Sequence, residues 1–140
     1  MYSEAEAHLN NLDCLGAREV RRAYLAIVLA AERAGLRALP RTLGGRRELL
    51  IRDAMDSQPY AVLVHPGSLD FLLRRPALER RPHLRVQAED RFPGRVSGSN
   101  DEVRIRIDSE GDGEDLGDWL FPALTPCLLY TSDAADDLLC

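Results

Sequence analysis

Tyr60-Ala61-Val62-Leu63-Val64 is the stretch on which the fold turns. It is an unbroken apolar run of strand length, carrying one aromatic and two β-branched residues, and it lies between Pro59 and the turn residues His65-Pro66-Gly67. A run this short, bounded on both sides by breakers, predicts a strand covered on both faces rather than a helix. Downstream, Ser68 is placed to cap a short helix over Leu69 to Arg75, which Pro76 stops.

Two further strands are expected. His83 to Ala88 alternates, with Leu84, Val86 and Ala88 on one side, and Val103 to Ile107 repeats the pattern with Arg104 and Arg106 outward. Glu89 to Glu102 between them contains Pro93, Gly94 and Gly98, enough for a mobile loop or a small hairpin.

Upstream of Tyr60 the pattern predicts helices. Arg46 to Ser57 carries Leu49, Leu50, Ile51, Ala54 and Met55 in a broad stripe, ended by Gln58-Pro59 and preceded by the turn Thr42-Leu43-Gly44-Gly45. Ala17 to Leu36 reads as a long central helix closing near Gly35. Ser3 with Glu6 forms a capping box for a first helix over residues 3 to 14, and a final helix is expected over Glu114 to Phe121. The predicted class is therefore α+β: N-terminal helices packed on a small mixed sheet of about three strands, the first two parallel through a right-handed crossover.

Residues 1–126 read as a single α+β domain, expected to be truncated at its C-terminus. Cys127-Leu128-Leu129-Tyr130-Thr131-Ser132-Asp133-Ala134-Ala135-Asp136 resembles the translation of a transposase-end adapter used in sequencing libraries, and it contains no arginine. Residues 127–140 are accordingly read as adapter artefact or a disordered tail. Cys14 is then the one cysteine left, which argues for a reducing compartment and makes a cytoplasmic placement the expectation. The apolar run of residues 23–31 is far below the roughly 18 to 20 residues a membrane span needs, so no membrane role is expected.

All 18 basic residues are arginine; the chain has no lysine. This excludes a Walker A loop, a kinase-type nucleotide lysine and Schiff-base chemistry, because each needs an ammonium group. Guanidinium stays protonated at working pH and cannot replace it.

The charge is unevenly spread. Residues 17–52 hold nine arginines against three acids, and residues 101–126 hold two against eight. Gly44-Gly45-Arg46-Arg47 sits where a helix is predicted to start, so backbone amides and two guanidinium groups make it a candidate anion site, with pairing to the acids of Asp108 to Asp118 as the competing reading. Asp108-Ser109-Glu110-Gly111-Asp112-Gly113 opens like a calcium loop, but Trp119 stands where the closing carboxylate belongs, leaving Asp108, Glu110 and Asp112 as a weak metal alternative. Asp112 is the expected cap of the last helix. His65, Ser68 and Asp70 lie close in sequence without a nucleophile-elbow motif, and His8, His65 and His83 lack metal-ligand spacing.

No cofactor is implied. The functional expectation is a non-catalytic protein acting through a protein partner or self-association, with an arginine-mediated nucleic-acid or anion binding module as the alternative and a hydrolase third.

Overall fold

Gly44 and Gly45 both adopt positive φ, 58° and 79°. This is the two-residue turn whose twist suits a tight hairpin, and it forces the chain on either side into paired strands. The computed structural model describes residues 3–99 and 101–122. Its elements are α1 (Glu4–Cys14), α2 (Arg18–Arg33), β1 (Arg37–Leu43), β2 (Arg46–Arg52), β3 (Tyr60–Val64), β4 (Leu69–Leu73), α3 (Arg75–Arg80), α4 (Leu84–Arg91), β5 (Val96–Gly98), β6 (Val103–Ile107) and α5 (Glu110–Leu120).

The sheet has six strands rather than about three, in the order β1-β2-β3-β4-β6-β5. Every pairing is antiparallel, so the expected mixed sheet and parallel crossover are corrected. The α+β class and the two N-terminal helices stand as expected. The capping box of α1 is present, with Ser3 Oγ accepting from Glu6 N at 3.2 Å and Glu6 accepting from Ser3 N at 3.0 Å.

Three local readings are reversed. Arg46 to Arg52 is strand β2 and not a helix, because the glycine turn registers Leu43 against Arg46 and Arg37 against Arg52. Leu69 to Leu73 is strand β4, and the Ser68 backbone carbonyl accepts from His65 N at 3.0 Å in the β3–β4 turn, where no helix starts for Ser68 to cap. Leu84 to Arg91 is helix α4: Leu84 and Ala88 are buried at helical spacing while Val86 is 66% exposed. The last helix starts earlier than expected and is capped by Ser109, whose Oγ accepts from Asp112 N at 3.2 Å.

One face of the sheet carries the core. Leu49, Ile51, Val62, Val64, Leu69, Phe71, Leu73, Val103, Ile105 and Ile107 all point to it and pack against α1, α2, α4 and α5. Among the described residues, the polar side chain buried among the helices is Asn11, donating to the Tyr24 hydroxyl at 3.0 Å and to the Glu48 carbonyl at 3.2 Å. Burial pushes the Tyr24 phenol up to about 12.

Helices α2 and α5 approach closely because α5 presents glycines. A Cβ on Gly113 would lie 2.9 Å from the Ala23 carbonyl oxygen, and one on Gly117 would lie 2.7 Å from Ala30 Cβ. Among the described residues no helix is long and apolar enough to cross a membrane. The expectations for residues 127–140, and for a truncation there, lie outside the described residues.

Candidate functional site: the helix-free face of the sheet

Side chains alternate across a strand, so the residues between those of the core point to the opposite face. Register then sets them in rows. Arg41, Glu48, Leu63, Asp70 and Arg106 lie side by side across β1, β2, β3, β4 and β6, and Leu39, Leu50, Ala61, Leu72 and Arg104 form the next row. Arg46 and Arg52 flank these rows on β2, and Arg74 follows β4.

Leu50, Ala61, Leu63 and Leu72 form a second apolar cluster to which, among the described residues, no helix contributes. Each is nonetheless 7% exposed or less. Their shelter comes from the long side chains around them, since an arginine can lay its methylenes along apolar surface and keep its guanidinium in water. Arg41, Arg46, Arg74 and Arg104, with Gln58, Glu48 and Glu102, wall a cleft of about 210 Å³ over this cluster.

Two carboxylates hold the arginines in place. Glu48, 4% exposed, accepts from Arg41 Nε at 2.6 Å and lies 3.8 Å from Arg46 Nη2. Asp70 Oδ2 meets His65 Nε2 at 2.9 Å and Arg104 Nη1 at 3.4 Å. Arg74 donates to Gln58 Oε1 at 3.0 Å. A guanidinium has five N–H donors, so each of these arginines keeps donors directed at solvent or a ligand.

The residues singled out by sequence fare differently. Gly44 and Gly45 form a hairpin tip, so the helix start invoked for an anion site is absent. Arg46 belongs to the helix-free face, whereas Arg47, opposite Val64, is on the other side. Arg46 lies 3.8 Å from Glu48, and among the described residues no ion pair joins it to the Asp108 to Asp118 segment. Among the described residues, that acidic segment reaches the basic block through Arg22 and Glu110, 3.4 Å apart.

The acids of the calcium alternative meet arginines or open a helix. Asp108 and Asp112 both receive Arg95, Asp108 also lies 3.9 Å from Arg106, and Glu110 and Asp112 stand in the first turn of α5 rather than in a loop. Asp112 raises the Arg95 pKa by that bond. No group of three or more metal-ligating side chains gathers among the described residues.

His65 and Asp70 are brought together, but the Ser68 hydroxyl has no hydrogen bond among the described residues, so no triad is assembled. His8 Nδ1 meets the Tyr24 hydroxyl at 2.7 Å, a packing role. Cys14 is a free thiol packed against the core. Sequence reading missed the face itself, because its signal was the parity of arginines within strands, and two of those strands had been read as helices. Comparison with family models, curated proteins and solved structures finds no match to this chain.

Proposed function

We propose that the protein is a non-catalytic binding module whose helix-free sheet face docks the acidic surface of a protein partner. The observation that carries this is the arrangement of Arg41, Arg46, Arg74 and Arg104 around the apolar floor of Leu50, Ala61, Leu63 and Leu72. Arginine is enriched at protein–protein contacts, and here it frames a narrow apolar floor whose residues are each 7% exposed or less. Guanidinium forks match carboxylates in bidentate geometry, and the fixed Glu48 and Asp70 hold the forks ready.

Nucleic acid fits the same face less well. Tyr60 and Phe71 both point into the core, leaving no aromatic ring from β3 or β4 on which a base would stack.

The test is fluorescence anisotropy of the full chain with a labelled glutamate-rich peptide, and in parallel with single- and double-stranded DNA of equal charge. The peptide should bind more tightly at every salt concentration, and Arg41→Gln/Arg74→Gln/Arg104→Gln should weaken it by at least about tenfold. Tighter DNA binding, with a steep dependence on salt, would replace the acidic-protein reading with the nucleic-acid one. No binding to either probe would count against the face as a site.

A further inference from the structure

Across the molecule from that face, α2 and α5 run side by side in the same direction, Ala23 meeting Gly113 and Ala30 meeting Gly117. Between them lies a groove of about 570 Å³. Its α2 wall is basic at both ends, through Arg22 and Arg33, with Leu25 and Leu29 between them. Its α5 wall is acidic, with Glu110, Glu114 and Asp118 one turn apart.

Leu25 and Leu29 are 45% and 54% exposed, one turn apart on the same helix. Such a ridge beside a trough of small residues is the knob and hole of a helix-packing contact that has no partner among the described residues.

We propose that this groove takes a second copy of the chain. A two-fold axis along the groove lays α2 of each copy over α5 of the other, keeping their directions. Leu25 and Leu29 of one copy then sit on the floor that Ala26, Ala30 and Gly117 form in its partner. The basic wall meets the acidic wall in both halves, with Arg33 opposite Asp118 and Arg22 opposite the Glu110 to Glu114 stretch. Self-complementarity of this kind is what an isologous contact requires. The surface is distinct from the sheet face, so the two readings stand or fall separately.

Sedimentation velocity of the full chain, up to about 100 µM, covers micromolar association and should show a dimer. Leu25→Glu/Leu29→Glu should yield a monomer whose thermal midpoint, measured in dilute solution where the natural chain is also dissociated, is unchanged, since both side chains are about half exposed. Arg33→Glu and Asp118→Arg should each weaken dimerisation by about tenfold, and an equimolar mixture of the two variants should restore it, because both cross-pairs are then complementary. A monomer at all concentrations, a dimer indifferent to the leucine changes, or a mixture no stronger than its components would each overturn the proposal.

Discussion

Leu72 and Leu73 are sequence neighbours on one strand, yet they live in different environments. Leu73 is completely buried among helices and aromatic rings, while Leu72, 6% exposed, is sheltered on the helix-free face by arginine side chains. The first kind of burial rests on close-packed neighbours that cannot follow a deletion, and the second on flexible side chains that can. Burial alone therefore does not say what a residue contributes. The two faces differ accordingly: one is packed against helices, and the other carries the arginine-walled cleft.

The matched pair gives the largest expected contrast. Leu73→Ala should cost about 3–4 kcal/mol and Leu72→Ala about 1–2 kcal/mol, the spread between a rigid cavity and a site able to collapse. Urea midpoints at equal m-values would read it. Equal losses would mean that the two faces are packed alike.

A smaller effect sharpens the helix side. Gly117→Ala gains about 1 kcal/mol of helix propensity but sets a methyl 2.7 Å from Ala30 Cβ. Overpacking costs about 1–3 kcal/mol, so the net change should be a loss, and a stabilised variant would contradict the close approach of α2 and α5.

The helix side also carries a pH signature. Burial holds the His8 imidazole below its ordinary value near 6.5, the charges of Glu4 and Glu32 opposing. The unfolded chain then binds the proton first, so stability contributed by neutral His8 is present above 6.5 and is lost as pH falls from there through the lower folded value. Thermal midpoints of the protein and of His8→Gln should diverge more at about pH 8 than at about pH 6, because the natural chain loses stability as pH falls over that range and the variant does not. Parallel profiles would remove His8 from the account.

Smallest of all should be the exposed arginines. Arg106→Gln, which breaks a 3.9 Å pair with Asp108, should change stability by less than about 1 kcal/mol. A larger loss, measured by the same urea midpoints, would make the helix-free face structural.

The same division explains which parts of the fold were legible. Where a strand has a polar outer face, as Val103-Arg104-Ile105-Arg106-Ile107 does, alternation shows it plainly. Arg46 to Arg52 and Leu69 to Leu73 hid because Leu50 and Leu72 put apolar residues on the outer face as well, turning alternation into runs that mimic a helical stripe. Leu84-Arg85-Val86-Gln87-Ala88 misled in the opposite sense, an exposed Val86 completing a false alternation. Of the four residues proposed as an anion site, only Arg46 reaches the cleft, since the site is built by register between strands far apart in sequence. The spacing of Gly113 and Gly117 carries a signal for close helix packing, masked because Gly113 belongs to the calcium-loop pattern and Gly117 to the helix expected over Glu114 to Phe121.

The most direct measurement is methyl NMR of the full chain, leucine-labelled, titrated with a glutamate-rich peptide. Leu50, Leu63 and Leu72 should shift saturably while Leu25 and Leu29 stay still, and the shifts should vanish in Arg41→Gln/Arg74→Gln/Arg104→Gln. Shifts confined to Leu25 and Leu29, or none at all, would contradict the assignment of binding to the helix-free face.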